Sequence, residues 1–306
     1  MQLPLKIGTR GSPLALMQAQ ETRARLMAAH GLAETDIEIV AITTTGDKIR
    51  DRPLYEIGGK GLFTKEIEEA LLAGHIHLGV HSMKDMPARL PDGLSIAALL
   101  PREDARDAFI SPVAASIMEL AQGAIIGTSS VRRAAQLLRL RPDLKPIQFR
   151  GNVETRLRKL GEGVAHATIL AAAGLNRLGL AHQITALIAM EQMLPAVAQG
   201  AIGIEIRTQD DKTRSLLAPL NHPETETAIL TERAFLAALD GSCRTPLAGH
   251  ATLTGQTLQF RGHALTTDGV HCFETTRQGA PADAARMGAE AGEEIKLRGG
   301  ALIAFS

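Results

Sequence analysis

Alternating apolar and polar positions mark short strands along the first two thirds of the chain. Leu3 to Gly8, Ile37 to Thr43, Ile76 to Val80 and Leu94 to Leu100 have this pattern, as do Ala124 to Gly127, Ala165 to Ala173 and Ala201 to Ile206. Between them, apolar residues recur at helical spacing: Leu14, Met17, Ala24 and Met27; Phe63, Ile67, Ala70 and Leu71; Leu137, Leu138 and Leu140. Strand, turn and helix in repeated order predict doubly wound α/β architecture. Beyond Asn221-His222-Pro223 the pattern changes. A helix with Ala228, Phe235 and Leu239 on one face precedes strands near Ala251 to Leu253, Leu258 to Leu265 and His271 to Thr276, then a helix from Ala282 to Leu297. The expectation is two α/β domains joined by a hinge of two connectors, Pro101 to Asp104 and Leu194 to Gly200, plus a small C-terminal α+β domain. The predicted boundaries are 1–99 with 200–217, 100–199, and 218–306.

Polar chemistry gathers where strands end. Gly79-Val80-His81-Ser82-Met83-Lys84-Asp85-Met86-Pro87 runs from an apolar strand into charged and hydrogen-bonding side chains, and Pro87 steers Met86 away from helix, which places His81 to Asp85 in a loop. A solvated Lys-Asp turn would explain that pentad standing alone. In Thr9-Arg10-Gly11-Ser12-Pro13, Ser12 suits a helix N-cap and Pro13 the first helical position, with Arg10 beside the anion-favouring helix start. Thr128-Ser129-Ser130-Val131-Arg132-Arg133 repeats the arrangement with two guanidinium groups, and Phe149-Arg150-Gly151-Asn152, Arg156 and Arg177 add further cations. An ordinary capped helix with a basic solvent face is the plainer account of each stretch. Gly58-Gly59-Lys60-Gly61 resembles a phosphate loop, but Gly61 stands where Ser or Thr should hold magnesium, so that reading fails. Glu66, Glu68 and Glu69 read as a solvated helix face.

Composition narrows the partners. Lys plus Arg number 33 and Asp plus Glu 33, so no overall basic field gathers nucleic acid or an acidic membrane. Seven Phe, one Tyr and no Trp give no stacking platform for single strands. With two cysteines, no long apolar run and no basic-then-apolar amino terminus, a cytoplasmic protein without disulfides or a membrane span is expected. Gly241 ends a helix and leaves Cys243 in a loop where a thiolate can be reached, against the general tendency of free cysteines to be buried. Cys272 lies in an alternating strand and reads as a core residue. The ten histidines show no metal-ligand spacing with the cysteines, so no metal is expected.

Taken together, Thr9-Arg10 and Ser12-Pro13-Leu14-Ala15, Gly58 to Phe63, His81 to Asp85, Gly127 to Ser130 with Arg132-Arg133, Arg150-Gly151-Asn152, Ala173-Gly174-Leu175 with Arg177-Leu178-Gly179, Leu194-Pro195-Ala196-Val197 with Gln199-Gly200, and Gly241 with Cys243 resemble the porphobilinogen deaminase (hydroxymethylbilane synthase) family in order and over nearly the full length. The resemblance implies two type II periplasmic-binding-protein-like domains with the site between them, and a third domain carrying a cysteine. It implies head-to-tail polymerisation of four porphobilinogen molecules with loss of ammonia, on a dipyrromethane cofactor held by a thioether to the cysteine matching Cys243. Asp85 matches the catalytic aspartate. Lys84, Ser82, Thr128, Ser129, Ser130, Arg132 and Arg133 match cofactor-binding positions, and Arg10, Ser12, Arg150, Arg156 and Arg177 match substrate-binding ones. Lys60 and Phe63 belong to a lid loop of about Thr44 to Lys60 and its edge, and a monomer is the expectation. A two-lobed binding protein for a small carboxylate ligand is the alternative that the first two domains alone would support.

Overall fold

The computed structural model describes residues 4–48, 61–240 and 245–303, which form two units. Lys60 and Cys243, and with Lys60 most of the expected lid loop, lie outside the described residues. Among the described residues, one unit gathers 4–48, 61–103 and 200–226, the other 104–199, 227–240 and 245–303.

In the first unit, β1 (Leu5–Arg10), α1 (Pro13–His30), β2 (Ile37–Ile42), α2 (Thr45–Lys48), α3 (Lys65–Leu72), β3 (Leu78–Ser82) and β4 (Leu94–Leu99) follow in order. The second unit contributes β5 (Asp107–Ile110), β6 (Ile125–Gly127), α4 (Val131–Leu140), β7 (Lys145–Ile147), α5 (Val153–Gly161), β8 (Ala167–Ala171), α6 (Ala172–Arg177) and β9 (Ala186–Leu187). The chain then returns to the first unit for β10 (Ile202–Arg207) and α7 (Asp211–Leu217).

Both sheets have five strands and the same plan. The first runs β2-β1-β3-β10-β4, with β1 parallel to β2 and β3 and with β10 antiparallel to β3 and β4. The second runs β7-β6-β8-β5-β9, with β6 parallel to β7 and β8 and with β5 antiparallel to β8 and β9. In each, the strand next to the edge enters from outside the βαβ run, and this duplicated plan is the expected doubly wound α/β architecture. Leu5, Ile7, Leu78, Val80, Ile202 and Ile204 bury one face of the first sheet, and Ile67, Leu71, Ile76 and Leu94 pack in a separate cluster; in the second, Phe109, Ile126, Ala167 and Ile169 form one cluster and Ala108, Ile110 and Leu170 another, so the central strands are covered on both sides. The expected single strand Ala165 to Ala173 is divided: β8 stops at Ala171 and α6 begins at once.

The tail is α+β. After α8 (Pro223–Ala238), β11 (Leu247–Thr254), β12 (Thr257–Leu265) and β13 (Cys272–Gly279) form an antiparallel meander, and α9 (Ala284–Gly299) packs on it. Phe235 and Phe260 meet with ring centroids 5.0 Å apart. Gly288 lets α9 approach α8, since a Cβ there would stand 2.0 Å from the Thr231 carbonyl oxygen.

Three expectations need correction. The buried face of α1 is Ala15, Gln18, Ala19, Thr22 and Leu26, whereas Met17 is 42% exposed and Ala24 also faces out. Polar residues can face inward because Thr22 donates to the Gln18 carbonyl and the Gln18 amide donates to Ser82 Oγ at 2.8 Å. Of the acidic row on α3, Glu69 is exposed as expected, but Glu66 and Glu68 are not on a solvated face. Glu68 is buried, and Glu66 accepts from the Thr45 N–H and hydroxyl at 2.8 and 2.5 Å. Cys272 is half-buried rather than a core residue.

Candidate active site

At the carboxyl end of β3, Ser82 leads into a single 3-10 turn, Met83–Asp85. The turn is held by Met83, which is buried and donates its N–H to the Ala201 carbonyl at 3.0 Å. Met86, extended before Pro87, stops it. His81 stays inside the strand instead of joining the expected loop: its Nε2 lies 3.0 Å from Glu205 Oε2 on β10, and both side chains are buried. Asp85 is half-buried and lines a cavity of about 50 Å³ together with Arg10, Ser12, Gln18, Phe63 and Ser82.

The other wall of that cavity is the start of α1. Ser12 caps the helix by accepting from the Ala15 N–H, with Pro13 in the first turn. Arg10, the last residue of β1, lies 4.1 Å above the Phe63 ring centroid and donates to Asp47 from Nη2 at 2.5 Å and from Nε at 3.3 Å. Asp47 also accepts from the Thr44 hydroxyl at 2.7 Å. Burial opposes its charge, but the Arg10 and Thr44 hydrogen bonds prevail and hold the Asp47 carboxyl below its ordinary value. Nearby, burial first and then Glu205 push the Glu68 carboxyl up.

The second unit builds a matching strand-to-helix turn. Gly127 ends β6 where a Cβ would stand 2.4 Å from the Phe149 ring, so the close approach itself requires glycine. Thr128 accepts from the Ser130 N–H, Ser129 accepts from the Phe149 N–H at 2.9 Å, and Ser130 caps α4 by accepting from the Arg133 N–H. Arg132 and Arg133 do not stand on a solvent face. Arg132 Nη2 meets Asp107 Oδ2 at 2.8 Å, Arg133 Nη2 meets Oδ1 at 2.7 Å, and all three residues are buried. Burial alone would raise the Asp107 carboxyl, but the two guanidinium groups hold it well below the usual carboxylate range. Burial also lowers Arg132, against the restoring charge of Asp107. Two cations on one anion leave the cluster with a net positive charge.

Further along, Asn152 caps α5 by accepting from the Thr155 N–H at 2.9 Å, and Arg156 on that helix donates from Nε to the Gly151 carbonyl. Arg150 is half-buried, with its carbonyl accepting from Lys159 Nζ at 3.0 Å. Arg177 closes α6, and Lys84 sits in the turn before Asp85.

Arg10, Ser12, Ser82, Asp85 and Phe63 therefore share one cavity in the first unit, while Thr128, Ser129, Ser130, Arg132 and Arg133 share one turn in the second. Arg150 follows Phe149, whose N–H donates to Ser129 of that turn, Arg156 stands on α5, and Arg177 is on α6. Sequence reasoning missed Asp47, Asp107, Gln18 and Glu205. Asp47 lies in the expected lid loop, where no motif marks it as a partner of Arg10. Asp107 lies beyond the expected connector, Pro101 to Asp104, in a stretch given no element and no role, and it proves to open β5.

Two family models match the chain: porphobilinogen deaminase, dipyromethane cofactor binding domain, over residues 5–215, and porphobilinogen deaminase, C-terminal domain, over residues 227–297. A porphobilinogen deaminase of Nitrobacter winogradskyi is 57% identical over 294 residues, 96% of this chain and 93% of that protein. One of Paracoccus denitrificans is 58% identical over 297 residues, 97% of this chain and 95% of that protein. Among solved structures, a putative methionine-binding lipoprotein of Bacillus subtilis is 12% identical, covers 71% of this chain and 90% of its own, and reaches a TM-score of 0.44, too low to bear on fold or function. Among the described residues no helix is long and apolar enough to cross a membrane.

Proposed function

We propose, from the premise that this chain belongs to the porphobilinogen deaminase family, that it joins four porphobilinogen molecules head to tail with loss of one ammonia at each addition, and that hydrolysis then frees the linear hydroxymethylbilane. The observation that carries this is identity of 57% and 58% to two porphobilinogen deaminases over nearly the whole chain. The carboxylate-binding alternative uses the two α/β sheets only and leaves the C-terminal match over 227–297 without a role.

A dipyrromethane cofactor fits the donors present. Its pyrrole N–H groups require an acceptor, which Asp85 supplies, and its acetate and propionate groups require cations and hydroxyls. The hydroxyls of Thr128, Ser129 and Ser130 would supply donors in the second unit, where the buried Arg132–Arg133–Asp107 cluster, its donors turned to Asp107 and to backbone carbonyls, would add net positive charge; Lys84 and Ser82 flank Asp85 in the first. When bound, the cofactor supplies the pyrrole α-carbon on which the chain is extended. Cys243 is assigned as its thioether anchor, in the stretch 218–306 that the proposal treats as the third domain, after 1–99 with 200–217 and 100–199.

Asp85 is assigned the chemistry. Loss of ammonia from porphobilinogen leaves a cationic azafulvene, and an ionised carboxylate near the pyrrole N–H stabilises that charge as it develops. The same carboxylate moves protons at the aminomethyl nitrogen and the α-carbon. Arg10, Ser12, Arg150, Arg156 and Arg177 bind the acetate and propionate groups of incoming units, because bidentate guanidinium–carboxylate contacts fix both charge and orientation. Phe63 supports Arg10 from below, and Lys60 is assigned to a lid. The enzyme acts as a cytoplasmic monomer on a small molecule, without nucleic acid or membrane.

Intact mass of the purified protein beside Cys243→Ala tests the reading. An excess of two linked pyrrole units in the native protein, absent from the variant, supports it. A native mass equal to the bare chain that stays unchanged after incubation with porphobilinogen overturns it.

A further inference from the structure

A second cluster of chemically capable side chains lies in the C-terminal meander, on strands that carry none of the residues assigned above to catalysis or binding. On the paired strands β12 and β13, His263 stands directly opposite Glu274, and Leu265 opposite Cys272. Cys272 and Glu274 are two residues apart on one strand and so project to the same face. That face opens on a cavity of about 510 Å³ whose other walls include Gln136 and Arg139 of α4. His263, Cys272 and Glu274 present a nitrogen, a sulfur and a carboxylate oxygen that all lie within 4.8 Å of one another.

The geometry points to a binding site for a zinc-class divalent ion formed by His263, Cys272 and Glu274, with a water from the cavity as fourth ligand. Cys272 Sγ and Glu274 Oε1 are 3.6 Å apart. In a tetrahedral zinc site with Zn–S about 2.3 Å and Zn–O about 2.0 Å, the sulfur–oxygen edge is about 3.5 Å. His263 is only 7% exposed, and its Nε2 is buried without a hydrogen-bond partner. Such a nitrogen is destabilising unless something takes it, and a metal ion does.

Charge is compatible with a dication here only through these ligands. Arg139 and Arg261 line the same cavity and repel a bare cation. One thiolate and one carboxylate bring two negative charges, so the assembled centre is neutral. On ligation the Cys272 S–H bond breaks, a sulfur–metal bond forms and the proton leaves to solvent, with no change of oxidation state. The expectation of no metal rested on local spacing, and it missed this triad because strand pairing brings the ligands together.

Cobalt(II) is the probe, added to the chelator-treated, cofactor-loaded enzyme. The expected result is tetrahedral visible bands with a thiolate-to-cobalt charge-transfer band. Cys272→Ser should abolish the charge-transfer band, which assigns it to this thiol rather than to Cys243. By calorimetric titration with zinc, His263→Gln and the exposed-site variant Glu274→Gln should each weaken affinity at least about tenfold, and zinc should raise the melting temperature of the native enzyme but not of Cys272→Ser. Absence of the charge-transfer band in the native enzyme, its survival in Cys272→Ser, or native zinc affinity in Glu274→Gln would each overturn the assignment. Glu274→Gln keeps the test decisive if a buried substitution fails to fold.

Discussion

Arg10 holds Asp47 through two donors, Nη2 at 2.5 Å and Nε at 3.3 Å, while its other face rests on Phe63. Asp47 thus fixes the plane of a guanidinium that lines the same cavity as Asp85. Substituting Asp47→Ala removes that bidentate partner and lets the guanidinium swing. The expected outcome is a KM for porphobilinogen raised about tenfold, worth about 1.4 kcal/mol, with kcat much less affected and partly restored binding in Asp47→Glu. Steady-state kinetics of both variants checks this, and an unchanged KM in Asp47→Ala would count against a positioning role.

Asp85 sits in a turn whose backbone is held by Met83 and Ala201, so its carboxylate is dispensable for folding. Asp85→Asn keeps the shape and removes the charge. Turnover should fall at least about a thousandfold, as expected for loss of both electrostatic stabilisation and proton transfer. The melting temperature should stay within about 2 °C of the native value. Near-normal activity in the purified variant would sink the assignment.

Asp107 is the anion between two buried guanidinium groups. Asp107→Asn leaves two buried cations facing each other, and breaking a buried pair in this way costs about 3–5 kcal/mol. Loss of soluble folded protein or a large fall in melting temperature is expected. The pH dependence follows from the lowered carboxyl: its stabilisation is fully present above the ordinary value of 3.8 and is lost as pH falls through the still lower folded value. Acid melts of the native protein should steepen below that ordinary value, whereas the variant should lack this contribution.

Glu68 is buried, its Oε1 makes no hydrogen bond, and its carboxyl is pushed up by burial. A raised carboxyl does nothing below the ordinary value of 4.5, destabilises the fold progressively as pH rises past it, and exerts its full penalty above the folded value. Glu68→Gln should therefore raise the melting temperature by about 2 °C near pH 8 and by less near pH 4. Equal shifts at both pH values would show that charge is not the cause.

Arg156, on α5, donates from Nε to the Gly151 carbonyl. Under the proposed function, Arg156→Leu should leave folding intact and stall elongation, so that enzyme-bound intermediates accumulate at shorter lengths. Mass spectra of the enzyme after brief incubation with porphobilinogen report that distribution, and a native pattern would remove Arg156 from the binding set.

Local sequence determined most of the strands, the longer helices and the polar turns that follow β1, β3 and β6, because a period of two or of 3.6 residues and the chemistry of a cap are written within a few neighbouring positions, whereas the short strands β5, β7 and β9 were not read from it. Ser12 and Pro13 at the start of α1, Ser130 at the start of α4 and the Ser82-to-Asp85 cluster were legible in this way. The partners of those residues were not. Asp107 reaches Arg132 across 25 positions, Glu205 reaches His81 across 124, and His263 faces Glu274 only because β12 and β13 align in one register. Such pairings are decided by strand order and register, which long-range hydrogen bonding and burial select, so only the tertiary structure shows which charges are spent inside the protein and which remain for a ligand.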